Sequence, residues 1–363
     1  MTLRTRDHED VVGAQLAYHL SSGVDFVVAT DHLSRDTTRD VLREFERAGL
    51  LELHCKDEER YEPGAWVNDM ARVAYERHGA DWVIHADADE FWWPLGGDLK
   101  AVLDAVPARY GALFGVWRHF APRPEDGSHF AERMTVRLAA HGPWTSPEHP
   151  FHPNVNVIHR GDPDVLVRPG NHDLVIAAPV LRGWFPIEVL HFPLRTLAQA
   201  QAKIEAWGRA LAAPGDVGPH VGAAHAALHA GSFRERYERY VVRDDQLPAG
   251  LAAGTLAVDT RVRDALRGLA GERRDRPLVP GFRFGPEALG ARAAQPAHAR
   301  HGVAAAADLA GDVSVLPDPA DRVRSRVAEL ERRLTALERR PRAEDADGDG
   351  RRWAFRLRRT VQR

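Results

Sequence analysis

Residues 82–94 read WVIHADADEFWWP. Trp82 to Ala86 is an apolar run of strand length, and it delivers Asp87 and Asp89 into a polar turn. Residues i and i+2 of an extended segment project to the same side, so the two carboxylates are expected to face one ligand. Like charges this close need a counter-charge, or one pKa must rise. A divalent cation supplies that charge. Carboxylates select hard cations such as Mg²⁺ or Mn²⁺, which also accept diphosphate oxygens. An isolated Asp-X-Asp is commonplace and reads as a solvated loop. Its place in the chain is what gives this one weight.

Upstream, two periods alternate. A short strand over 2–6 precedes a helix over 9–21, where Val12, Leu16 and Leu20 recur every four residues. VDFVVAT (24–30) is a strand. A helix follows over 36–48, with Val41, Leu42 and Phe45 on one face, Ser34 or Asp36 to cap it and Gly49 to stop it. Residues 50–55 form a third strand. Pro63 opens a helix through Trp66, Met70, Val73 and Ala74 that stops at Gly79. Residues 81–86 form the fourth strand. Alternation of this kind predicts an α/β fold with parallel strands and right-handed crossovers. The strands are apolar runs rather than alternations, as expected where helices cover both faces. Ligands of such sheets bind beyond the carboxyl ends of the strands. Those ends carry Arg6 and Asp7, Asp31 and His32, Lys56 and Asp57, and then Asp87 and Asp89.

Beyond residue 95 the pattern loosens. GALFGVW (111–117) and IEVLHF (187–192) read as strands, and 196–212 and 232–242 as helices. Residues 120–175, rich in Pro, His and Gly, read as long functional loops with short strands. We expect a catalytic domain over 1–245 and an extension packing on it over 246–284. An Ala/Gly/Pro-rich linker is expected over 285–320. Val323, Val327, Leu330, Leu334 and Leu337 then mark a short amphipathic, coiled-coil-like helix over 321–340, and a basic tail covers 341–363. The tail ends in RRWAFRLRRTVQR, which suits peripheral contact with an anionic membrane surface or self-association.

The 363 residues carry 49 Lys and Arg against 52 Asp and Glu, a formal charge of -3, so no basic field argues for nucleic acid. One cysteine, Cys55, excludes an internal disulfide and reads as a small buried hydrophobe. No apolar leader opens MTLRTRDHED, and no window reaches the roughly 18 apolar residues of a membrane span. A cytoplasmic placement is expected, with the inner membrane face as the site of any peripheral contact.

Three segments carry a resemblance: EDVVGAQLAYHLSSGVDFVVATDHLSRDTT (9–38), GADWVIHADADEFWWP (79–94) and HFPLRT (191–196). The chain resembles the bacterial family 2 glycosyltransferases, in particular the branch with a strand–DADEFW signature, over about residues 1–240. The resemblance implies a GT-A fold and a UDP- or GDP-sugar donor. It points to Asp31 at the nucleotide base, to Arg6 and Asp7 at the nucleotide, and to Asp87 at ribose or metal. It gives Asp89 to the metal, with His191 as a late histidine ligand that favours Mn²⁺. Asp36 falls in the stretch that shapes the turn and helix start. The opening strand departs from the family, ending in RTRDHED where an Arg-Asn-Glu-like turn is usual.

An inverting transfer, the preferred outcome, needs a base for the acceptor hydroxyl. Asp173 in GNHDL is the candidate, ahead of Glu148 and Asp126. Arg195 is a candidate partner for the diphosphate, and Trp92 and Trp93 read as either a sugar platform or core. Lys203 reads as a surface residue. His149, His152 and His159 fit no zinc spacing and read as structural. The expected activity is hexosyl transfer to a hydroxyl of a glycan, glycolipid or other acceptor. The alternatives are a sugar-phosphate nucleotidyltransferase, which normally carries a Gly-rich loop after the first strand, a metal-dependent hydrolase, and a non-catalytic scaffold assembled through the C-terminal heptads.

Overall fold

The structure is a computed structural model that describes residues 1–58, 61–96, 98–139, 149–210, 219–271, 276–279 and 281–291. The chain divides into two units, Met1–Leu316 and Pro317–Arg363, and every described residue belongs to the first. The expected heptad helix and basic tail lie outside the described residues.

The first half follows the alternation read from the sequence: β1 (Thr2–Thr5), α1 (Val12–Ser21), β2 (Val27–His32), α2 (Thr38–Arg47), β3 (Leu51–Lys56), α3 (Pro63–Glu76) and β4 (Trp82–Asp87). Local chemistry sets the bounds. Asp36 Oδ1 accepts the Thr38 N–H at the start of α2, and Gly49, at φ +73°, turns the chain after its end. Pro63 occupies the first turn of α3, where its missing N–H costs nothing.

The chain continues through β5 (Glu90–Pro94), α4 (Leu99–Asp104), β6 (Ala112–His119), α5 (Phe130–Arg133), β7 (Val136–Leu138), β8 (Val155–Arg160), β9 (Leu166–Val167), β10 (Leu174–Val175) and β11 (Ile187–His191). Helices α6 (Leu197–Ala210), α7 (Pro219–His229), α8 (Phe233–Glu238) and α9 (Leu247–Ala252) follow, then β12 (Leu256–Val258) and α10 (Arg261–Leu269). Eight strands form one sheet in the order β3-β2-β1-β4-β8-β6-β11-β5. Only β8 and β5 run against the other six. The mostly parallel α/β sheet expected from the sequence is therefore present, with antiparallel insertions in its second half. β8 lies inside the stretch read as loops.

Helices cover both faces. Alternate residues of β2 point opposite ways: Val27 and Ala29 join a core with α1 and α2, while Val28 joins Val67, Met70 and Ala74 of α3. Each of the valines and Met70, fully buried, contributes roughly 1.5–3 kcal/mol. α1 is buried from Val12 to Leu20, because later chain covers its outer side. Val262, Ala265, Leu266, Leu278 and Phe284 share its core, and Ala288 and Leu289, in the span read as linker, pack against it. Gly13 makes the approach possible: a Cβ there would lie 2.4 Å from the Phe284 carbonyl oxygen.

One connection shapes the sheet. β4 and β5 are four places apart in the order, about 19 Å in a flat sheet. Yet only Ala88 and Asp89 separate them in sequence, and three Cα steps span at most about 11 Å. The sheet must curl until its far edge returns to β4. Asp87 and Asp89 sit on that seam.

Candidate active site

A cleft opens at the carboxyl ends of β1, β2 and β4. One wall is the end of β1 and the turn after it, Arg4 to His8, joined by His32 and Tyr61; Asp87 and Asp89 also line it. The opposite wall is α6, which presents Gln199, Ala202, Lys203, Ala206 and Trp207. These five recur at helical spacing on one stripe. Leu197, Ala200 and Ile204 turn the other way, into a small core with Val221 of α7 and Phe233 and Tyr237 of α8.

Both motif carboxylates are matched by side-chain cations. Arg4 Nη2 donates to Asp87 Oδ1 at 3.1 Å and Oδ2 at 3.3 Å. Lys203 Nζ donates to Asp89 Oδ2 at 2.7 Å, with Arg195 Nη1 3.7 Å from the same oxygen. Burial alone would raise the Asp89 carboxyl. Lys203 above all, with His191, His8 and Arg195, outweighs burial and holds it well below the usual range. Glu90 completes the turn. It accepts the Asp87 N–H at 3.1 Å and both of its oxygens accept from Asn156 Nδ2 at 2.8 Å. Burial, then Asp87 and Asp89, push its carboxyl well above the ordinary value.

β11 brings His191 to the seam, opposite Glu90 of β5 and beside His119 of β6. The hydrogen bonds fix its tautomer. His119 Nε2–H donates to the His152 carbonyl at 3.1 Å, so His119 Nδ1 accepts from His191 Nδ1–H, also at 3.1 Å. His191 Nε2 is left with a lone pair, 3.7 Å from Asp89 Oδ1. Burial lowers the His191 pKa to about 3, so this ring is neutral at pH 7 and the contact is not an ion pair. Two acceptors facing one another suit a cation between them. Ligands of an octahedral ion lie about 3 Å apart when adjacent and about 4.2 Å apart when opposite, so a pair 3.7 Å apart would close by about 0.7 Å to bind as adjacent ligands. Among the described residues no three His, Cys, Asp or Glu side chains converge as a ready metal site. The residues present fit an ion as a pair, Asp89 with His191, while Arg4 holds Asp87 aside.

The other sequence-derived candidates fall as follows. Arg6 and Asp7 line the cleft. Asp31 does not: its side chain is buried and accepts from Arg39 Nε at 2.8 Å, with His32 in the lining instead. Arg195 is buried behind the cleft, its Nε and Nη2 donating to Asp10 at 2.6 and 2.8 Å and its Nη1 to the Phe192 carbonyl. Asp173 sits half exposed ahead of β10, 4.0 Å from Arg182 and outside the cleft lining. Asp126 is spent on the Ser128 turn. Glu148 lies outside the described residues. Trp92 and Trp93 are buried in the main core, where Trp93 stacks on Tyr18, so neither is a sugar platform. Cys55 is exposed rather than buried, because β3 is an edge strand.

Sequence reasoning gave no role to Arg4 or His8 and read Lys203 as a surface residue, whereas Lys203 is largely buried against Asp89. The Arg6 N–H donates to His8 Nδ1 at 3.4 Å, which leaves a neutral His8 with its Nε2–H as donor. Burial, then Arg195, lower the His8 pKa to about 4. The signal for Lys203 was its place on the 199–202–203–206–207 stripe.

No family model and no curated protein match the chain. Among solved structures it is similar to S. aureus TarS 1-349, with 13% identity over 76% of this chain and 81% of that one, at a TM-score of 0.33. The same protein in complex with UDP-GlcNAc matches with 14% identity over 80% and 88%, at 0.35. A putative glucose-1-phosphate thymidylyltransferase from Bacillus anthracis, in complex with a sucrose, matches with 9% identity over 64% and 72%, at 0.22. These are loose likenesses, and the chemistry of the cleft rests on its own side chains.

Proposed function

We propose that the chain is a glycosyltransferase that moves a hexose from a UDP- or GDP-sugar to an acceptor hydroxyl with the help of Mn²⁺ or Mg²⁺. The observation that carries this reading is the seam itself: Asp89 Oδ1 and His191 Nε2 are two acceptors 3.7 Å apart, beside a cleft that Asp87 and Asp89 line. The charge count agrees. Three cations line the cleft (Arg4, Arg6, Lys203) against three carboxylates (Asp7, Asp87, Asp89), which sum to zero. A nucleoside diphosphate adds negative charge to that neutral lining, and a divalent cation offsets it.

In this reading Asp89 and His191 hold the ion, and Asp87 joins them when Arg4 turns to phosphate. The ion would neutralise charge that builds on the leaving diphosphate. His8 Nε2–H and Arg6, on the wall facing α6, donate to phosphate oxygens. Each carboxylate of the lining is already paired with a cation, Asp7 with Arg6 at 3.6 Å, Asp87 with Arg4 and Asp89 with Lys203. The transfer is read as inverting, with the base for the acceptor hydroxyl lying outside these paired carboxylates.

The test is a panel of UDP- and GDP-hexoses incubated with the purified chain and Mn²⁺, read by nucleoside diphosphate release with and without EDTA. Release by one donor, abolished by EDTA, is expected. No turnover, no donor hydrolysis and no nucleotide binding across the panel overturn the reading.

A further inference from the structure

The cations around Asp89 differ in freedom. Arg195 is fully buried and tied at three nitrogens, to Asp10 twice and to the Phe192 carbonyl. It cannot follow a ligand. Lys203 makes its contact with Asp89 from the cleft side, with 16% of its side chain exposed against 2% for Asp89. Its neighbours along the stripe, Ala202 and Ala206, are small. Its ammonium also lies 5.1 Å from the Trp207 ring centroid, a second favourable place for a cation. A four-carbon stem lets a lysine re-aim where a guanidinium fork would not.

Lys203 therefore holds one oxygen of a carboxylate whose other oxygen faces His191, where a divalent ion would bind. Ammonium and ion compete for the same charge. We propose that Lys203 is the donor-diphosphate ligand carried by α6, and that it changes partner from Asp89 to phosphate when a divalent cation takes that carboxylate. The proposal rests on the donor-site reading above and adds the residue that exchanges. In the absence of nucleotide the lysine pins α6 across the cleft. With the ion in place it is expelled by like charge and meets the incoming phosphates. No bond is made or broken; one ion pair replaces another.

This exchange gives a signature of opposite signs. Lys203→Met removes a competitor for Asp89 and a partner for phosphate together. Mn²⁺ affinity, titrated calorimetrically without nucleotide, is expected to rise about tenfold. UDP affinity at saturating Mn²⁺ is expected to fall about tenfold. Lys203→Arg should keep UDP affinity within about threefold. Lys203→Gln, which keeps a donor without charge, serves if the methionine variant does not fold. A variant weaker for both Mn²⁺ and UDP would make Lys203 a structural pin and overturn the proposal. Unchanged UDP affinity would also overturn it, because the lysine would not reach phosphate. If the unaltered protein binds UDP and only the Lys203 effect is missing, the donor site stands and the exchange falls. If the unaltered protein binds neither Mn²⁺ nor UDP, the donor-site reading falls and takes the exchange with it.

Discussion

Arg4 Nη2 reaches both oxygens of Asp87, so β1 and β4 are joined at their carboxyl ends by an ion pair as well as by the sheet. Asp89, two residues on, takes its cation from α6 instead. The two carboxylates of one motif thus answer to opposite walls of the cleft, and they should not respond alike to substitution. Asp89→Asn is expected to lower turnover about a thousandfold, because it removes the anionic charge beside His191 on which the proposed ion depends. Asp87→Asn, at a side chain one-third exposed, should cost about tenfold to a hundredfold. Steady-state rates of nucleoside diphosphate release decide this. Equal losses would mean that the two carboxylates serve the proposed donor site on the same terms.

Arg195 separates folding from binding. Its guanidinium is buried and shared between Asp10 and the Asp89 carboxylate. Arg195→Met leaves Asp10 without that partner, but the Asp10 side chain is 39% exposed, so the cost should be about 1–3 kcal/mol, read as a lower midpoint in urea. Nucleotide affinity of the folded fraction should change far less than in Lys203→Met. A stable variant that has lost UDP binding would place Arg195 on the diphosphate after all.

Gly13→Ala sets two effects against each other. Alanine favours a helix over glycine by about 1 kcal/mol. The new methyl, however, would stand 2.4 Å from the Phe284 carbonyl oxygen, a backbone atom that cannot swing away. Overpacking of this kind costs about 1–3 kcal/mol, so net destabilisation is expected. A raised melting temperature would show that residues 282–285 yield freely.

Stability should fall as pH drops below the ordinary histidine range. Burial is the leading cause that lowers His8 and His129 to about 4 and His19 and His191 to about 3. These rings stay neutral in the fold while their unfolded counterparts take protons below about pH 6.5. The unfolded state then binds more protons, and linkage makes stability decline from about pH 6.5 down towards about pH 4. Asp10 and Glu188 are also depressed, by burial opposed and outweighed by their arginine partners. Their contribution is present above the ordinary carboxylate range and is lost only below it, so the histidines act first. Scanning fluorimetry between about pH 7 and about pH 5 should show a melting temperature lower by roughly 5–10 °C. A flat profile would mean the rings gain protons without unfolding.

The first four strands and three helices were legible because each is continuous in period and ends on a recognisable stop. Legibility faded where the partner is distant. β8 reads VNVIHR, and its place comes from antiparallel pairing between β4 and β6, which no local pattern states. His159 belongs there for a related reason: its Nε2 meets His85 Nε2 at 2.9 Å inside the sheet. The motif carboxylates were visible as a pair, but their cations were not, since Arg4 and Lys203 stand 83 and 114 residues away from them. Asp31 and Arg195 were found as charged residues at strand and helix ends. Their burial came from Arg39 and Asp10, partners that only folding supplies.

The two-residue link between β4 and β5 has a consequence for how such a protein can vary. Most loops beside a binding site tolerate added length, and new specificity often arrives through insertion. Here an extra residue at position 88 or 89 would slacken the closure that brings the sheet's eighth strand back to its fourth. The spacing here is set by the fold, as the Asp89 side chain is by its cations. Added length is better placed in the segments that face the seam from α6 and from the turn after β1.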